Sequence, residues 1–166
     1  MDNGTKAIPR RRADFEQCVA ELLVLEEVCA LADYAQHGHG SRLHHSIRVA
    51  YCGFLLSRLF RLDSRAAARA GLLHDLFCYN WREKGYTAGE HTFAHPVEAL
   101  ANAERLVPDL NDAERDAILR HMWPLCHGAP RYAVSVIVSL ADKICCVAEL
   151  LETGMHWLRR RSAHSH

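Results

Sequence analysis

RYAVSVIVSLADKICCVAELLE, residues 131–152, carries enough β-branched side chains in its first half to suggest a strand, and the choice here decides the fold class. The run continues without a turn signal through DKICCVAELLE, well beyond ordinary strand length, so it reads as helix. It should begin near Arg131, after the loop WPLCHGAP, and end at Gly154, a residue suited to a helix C-terminus.

The rest of the chain follows the same period. Residues 13 to about 36 carry an apolar stripe (Val19, Leu22, Leu23, Leu25, Val28, Cys29, Ala32) that stops at the glycines of QHGHGS. Ser41 can cap a second helix to about Arg61, and Asp63 or Ser64 can open a third, SRAAARAGLLHDLF. Pro96 suits a first helical turn, which predicts a fourth helix from about 96 to 107. Asn111 with Glu114 forms a capping box for a fifth, up to about Met122. CYNWREKGYTAGEHTFAH, 78–95, is the longest irregular stretch and is expected to be a lid or site loop. No strand-length alternation bounded by hairpin turns and no internal repeat is found. The expectation is an all-α, single-domain bundle of about six main helices: an N-terminal helix within 1–40 packed on the core, a main domain over 41–154, and a frayed tail over 155–166.

A chain of 166 residues can bury an ordinary core without disulfides or structural metal. Lys plus Arg and Asp plus Glu number 20 each, which removes any global electrostatic case for a nucleic-acid polymer and favours a small partner. The seven cysteines are odd in number and lack CxxC spacing, so they read as buried thiols in a reducing compartment. MDNGTKAIPRRR is basic, but the run after it is broken by Glu21, Glu26 and Glu27, unlike a signal peptide. No run reaches the length of a membrane span, and a soluble cytoplasmic protein is expected.

Histidine is the outlier, at 12 residues. His164 and His166 fall in the polar tail, and His37 and His39 in the GHG turn. Helical phase sorts others, because positions three or four apart share a face. His44 lies with Arg48 and Tyr51, whereas His45 lies with Val49, Cys52 and Leu56 and so faces inward. Asp142 shares its face with Val138, Cys145 and Cys146. His74 follows Ala67, Ala70 and Gly71, and Asp75 follows Ala68 and Gly71, small residues that let another helix approach closely. His121 lies with Ala117 and Ile118, while Arg120 goes with Asp116 toward solvent, and His95 sits where the fourth helix is about to start. Burying such groups together is costly unless something compensates them, and a divalent cation would. Taken singly, each histidine reads as well as a hydrogen-bonded core residue. Asp142 could equally cap a neighbouring helix or pair with Arg48 or Arg69.

The ordered set HSIRVA (His45), AGLLHDLF (His74, Asp75), HTFAHP (His95), ILRHMWPL (His121) and SLADKI (Asp142), over roughly residues 41–152, resembles the HD-domain superfamily of metal-dependent phosphohydrolases. The resemblance implies a helical bundle with His45, His74, Asp75 and Asp142 as ligands of a first metal. His95 and His121 then stand where two-metal members place the second metal's histidines, with Asp75 bridging. It further implies one or two divalent ions, among Mn, Fe, Mg, Ni, Co and Zn, and hydrolysis of a small phosphate ester or anhydride, a nucleotide among the candidates, by metal-activated water. Many catalytic members follow the His-Asp pair with Ile-Gly-Lys, where this chain has Leu76, Phe77, Cys78 and Tyr79. The cation that meets the phosphoryl group is therefore expected to be Lys143 or Arg82, ahead of Lys84 and Arg120. His91 and His127 flank the motif histidines and are read as non-ligands. Two other classes compete: a non-catalytic metal-containing ligand-binding or regulatory module, and a plain helical interaction protein whose histidines belong to its core.

Overall fold

The computed structural model describes residues 10–36, 40–81, 83–125 and 128–163, with side chains as far as Trp157 in the last helix. Among these residues the chain forms seven α-helices and no strand: α1 (Arg10–Val19), α2 (Glu26–Ala30), α3 (Arg42–Leu59), α4 (Ser64–Leu73), α5 (Ala88–Leu106), α6 (Asp112–Arg120) and α7 (Ala133–Ala163), with a 3-10 turn at Leu31–Asp33. The all-α bundle expected from the helical period is what forms.

Local hydrogen bonds set most of the helix starts. Ser41 Oγ accepts from His44 N at 3.3 Å to open α3, and Asp63 Oδ1 accepts from Ala66 N at 2.9 Å to open α4. Asn111 and Glu114 form the reciprocal capping box that opens α6.

Helix α4 is the axis of the bundle. Every residue from Ala66 to Leu73 is buried, Arg69 among them. Its small residues bring α3 against it: a Cβ at Gly71 would stand 2.8 Å from Ala50 Cα, and one at Gly53 would stand 3.4 Å from Ala67 O. Arg69, the buried charge of this helix, donates to Glu114 of α6 at 2.7 Å, to Asp109 at 2.8 Å and to Glu21. One guanidinium thus fastens three segments to the central helix, with each of its three nitrogens on a carboxylate. Helix α7 lies across α3, α4 and α6.

Several boundaries differ from expectation. The stripe over 13–36 is not one helix: α1 stops at Val19, and residues 20–25 form a turn in which Leu22 enters the core while Glu21 reaches Arg65 and Arg69. Helix α5 begins at Ala88 rather than 96, because Thr87 and Glu90 form a second capping box, and Pro96 lies inside it. Residues 88–95 of the expected irregular segment are therefore helical. Helix α7 continues through Gly154 to Ala163, since one exposed helical glycine costs only about 1 kcal/mol. Asp116 does not face solvent; it is buried, accepting from Arg120 Nε at 2.7 Å and from the Arg131 amide at 2.9 Å. Cys145 is buried and Cys18, Cys52 and Cys146 are half-buried, but Cys29 and Cys78 are exposed, and all six are free thiols. Arg82, His37, His39, Cys126, His127, His164 and His166 lie outside the described residues. No described helix is long and apolar enough to cross a membrane.

Candidate metal centre

Two of the motif histidines occupy equivalent places. His74 is the C-cap of α4 and His121 the C-cap of α6, where the last carbonyls of a helix have no amide partner. Each imidazole fills that vacancy itself: His74 Nδ1 donates to Gly71 O at 2.8 Å and His121 Nδ1 to Ile118 O at 2.8 Å. His95, within α5, donates Nδ1 to His91 O at 2.7 Å. The three bonds set one tautomer, with the proton on Nδ1 and a bare lone pair on Nε2.

Those lone pairs converge. His95 Nε2 and His121 Nε2 stand 2.9 Å apart, two acceptors facing each other. Asp75 Oδ1 lies 3.4 Å from the first and 3.7 Å from the second. On the other side, His74 Nε2 is fully buried with no hydrogen-bond partner; Asp75 Oδ2 is 3.6 Å away and Asp142 Oδ1 3.7 Å. His45 lies between carboxylates, Nδ1 at 3.0 Å from Glu149 Oε2 and Nε2 at 3.1 Å from Asp142 Oδ1. Acceptors opposing acceptors in a buried space call for a cation. Two groups could hold one, His45 with His74 and Asp75, and His95 with His121 and Asp75, each with ligand atoms within 4.8 Å of one another. Asp142 joins His45 and Cys146 in a third such set. The six residues singled out from the sequence are thus brought together from α3, α5, α7 and the C-terminal ends of α4 and α6.

The electrostatics of the metal-free cluster point the same way. Burial would raise the Asp75 carboxyl, but His74, His95 and His121 outweigh it and hold the group well below the usual carboxylate range. Burial opposes ionisation of Asp142 too, but its hydrogen bond to His45 and the nearby His74 imidazole prevail. Burial and the neighbouring imidazoles push His121 down to about 3 and, with Asp75 partly compensating, lower His95 as well. His74 goes the other way, up to about 9, because Asp75 and Asp142 overcome its burial. A proton on His74 Nε2 would meet Asp75 and Asp142 as a cation would.

The supporting residues include some that the sequence reading missed. Glu149 fixes His45, and it lies seven residues beyond Asp142, two helical turns on, so periodicity could have found it. Gln36 donates Nε2 to Asp75 Oδ2 at 2.8 Å while accepting from Arg42 Nε at 3.3 Å. Nothing in the loop sequence marks it. Arg48 pairs with Glu152 and Glu149, and Arg69 is held by its own three carboxylates, so Asp142 is free of the ion pairs considered for it. It caps no neighbouring helix among the described residues.

A cavity of about 520 Å³ opens onto this cluster, with Asp75, His95, His121 and Asp142 at its polar end and Trp81, Met122, Leu125 and Leu150 along its wall. Lys143 lines it too, with Nζ donating to His121 O at 3.0 Å, Ser139 Oγ at 2.9 Å and Ser139 O at 3.1 Å. Lys84 instead lies over the Tyr79 ring, and Arg120 is bound to Asp116. His91 stacks on Trp81 with ring centroids 5.2 Å apart and belongs to neither imidazole–carboxylate group. No family model, no curated protein and no solved structure matches this chain.

Proposed function

We propose that this protein is a metal-dependent phosphohydrolase of the HD type, acting on a small phosphate ester or anhydride, a nucleotide among the candidates. The observation that carries this reading is the division of Asp75: Oδ2 turns to His74 while Oδ1 turns to His95 and His121, so one carboxylate serves two adjacent groups of imidazoles. His45, His74, Asp75 and Asp142 would hold one divalent ion, and Asp75, His95 and His121 a second. Four imidazoles among six ligands favour Mn, Fe, Co, Ni or Zn over Mg, which prefers oxygen. Divalent ions held there would lower the pKa of water toward neutrality and offset charge on the phosphoryl oxygens.

The chain's own residues supply orientation. Backbone acceptors lock the three Nδ1–H groups, Glu149 locks His45, and Gln36 holds one oxygen of Asp75. Lys143 holds the carbonyl of His121, which steadies that ligand while keeping a positive charge in the cavity wall. Met122, Leu125 and Leu150 provide an apolar side that limits water around the substrate.

The engagement of Lys143 also favours a second reading, a non-catalytic regulatory module that keeps the metal, because an ammonium already bound to three acceptors is a weaker phosphate ligand. Two measurements separate them. Metal analysis of gently purified protein should find two ions per chain, and Asp142→Asn should lose at least one while remaining folded. Phosphate release from a panel of phosphate esters and nucleotides, with Mn, Fe, Co, Ni, Mg and Zn, should depend on metal. Metal content without turnover on any member would favour the regulatory module; unchanged metal content in Asp142→Asn would defeat both readings.

A further inference from the structure

Between residues 133 and 151, every exposed position of α7 is apolar: Ala133, Val136, Leu140, Ile144, Val147, Leu150 and Leu151. The opposite face is already committed to α3, α4 and α6. A helix face apolar along its whole length belongs against a partner, and the fold of one chain leaves this one outside. The exposure is large at each step: Val136 46 %, Leu140 45 %, Ile144 45 %, Val147 57 %, Leu151 63 % and Met155 52 %.

Those six positions form one stripe. At about 100° per residue they fall within an arc of roughly 100° and extend for about 28 Å along the axis. Their spacing is four, four, three, four, four, which reads the same from either end. A second α7 laid antiparallel would set Val136 against Met155, Leu140 against Leu151 and Ile144 against Val147, and the two-fold axis would repeat each pair. A self-complementary patch of this kind is what a two-fold interface requires. The stripe offers on the order of 600 Å² per copy, so a pair would bury about 1,200 Å², the lower end of stable interfaces. A parallel pairing would bring together the Arg159, Arg160 and Arg161 runs of both copies, whereas the antiparallel one separates them.

We infer that the protein is a homodimer in which the outer faces of two α7 helices pack antiparallel, with Ile144 and Val147 beside the two-fold axis. Leu150, at the edge of the stripe, also lines the cavity over the histidine cluster, so the second copy lies next to the cavity mouth.

Light scattering or sedimentation of the full chain tests this. The expected mass is that of two chains, halved by Ile144→Glu with Val147→Glu while the helical circular dichroism is unchanged. Leu140→Glu and Leu151→Lys chains should each be largely monomeric alone and should form a mixed dimer when combined, because those two positions face each other. A wild-type monomer at all attainable concentrations overturns the inference, as does a dimer indifferent to the glutamates. A wild-type monomer that floats with anionic vesicles assigns the face to lipid instead. Failure of the two charged chains to combine overturns the antiparallel register.

Discussion

At Gly71 the distance between the two helices that present His45 and His74 is set by one missing methyl group. A Cβ there would meet Ala50 Cα at 2.8 Å and Ala50 N at 3.0 Å, backbone atoms that cannot rotate aside. Gly71→Ala should destabilise the fold by about 1–3 kcal/mol, read as a lower denaturant midpoint. It should also weaken metal binding before unfolding, because α3 carries His45 and α4 ends at His74. Gly53→Ala is the control: its Cβ would rest 3.4 Å from Ala67 O, an ordinary contact, and the midpoint should hold or rise slightly. Glu149 tests the orientation of a ligand in the same way. Glu149→Gln keeps the shape but removes the charge beside His45 Nδ1, and metal affinity should fall about 10- to 100-fold in competition with a chelator. At this scale five of the six residues of the cluster were legible because helical phase turns them inward, as it separates His45 from His44, whereas His95 is expected ahead of its helix and joins the set through the resemblance. Gln36 was not legible, since its approach to Asp75 depends on how a loop returns to the bundle.

Among the elements, the ends that were legible are those set by bonds spanning three residues. Asn111→Ala should lower stability by about 1 kcal/mol, measured as a lower melting temperature, because Asn111 Oδ1 holds the Glu114 amide and Glu114 in turn holds Arg69. The loss should exceed that of a cap on a peripheral helix, since Glu114 is buried at the junction of α4 and α6. The same signal stood in Thr87 and Glu90, but Pro96 suggested a later start for α5, and a proline tolerated mid-helix misplaces a boundary by eight residues. The turn after α1 could not be read at all: ELLVL contains neither glycine nor proline, and what ends α1 is the tertiary demand that Leu22 enter the core while Glu21 reaches Arg69. Gly154 misled for the opposite reason, since a glycine permits a helix to stop without requiring it.

For the whole molecule, the histidine cluster ties stability to pH, and the sign differs from residue to residue. His121, held down to about 3, stays neutral in the fold while the unfolded chain takes up a proton near 6.5, so its contribution weakens as pH drops from 6.5 toward 3. His95 is lowered as well and acts in the same direction. Asp142, held below its ordinary value near 3.8, contributes above that value and loses its contribution in stronger acid. His74 is opposite: raised to about 9, it stabilises the metal-free fold fully below 6.5 and ceases to do so as pH climbs through 9. Chelated protein should therefore melt highest near pH 6.5 and lower on both sides. Metal binding needs the lone pair that this proton occupies, so loading should release a proton below about pH 9 and remove the decline between 6.5 and 9. On the acid side, protons compete with metal for every imidazole, and the loaded protein should lose stability more steeply than the chelated one. Melting temperatures across this range, with chelator and with manganese, check both limbs. If the two profiles ran parallel, protons and metal would not be exchanging at one place, and His74 would have to be removed from the ligand set.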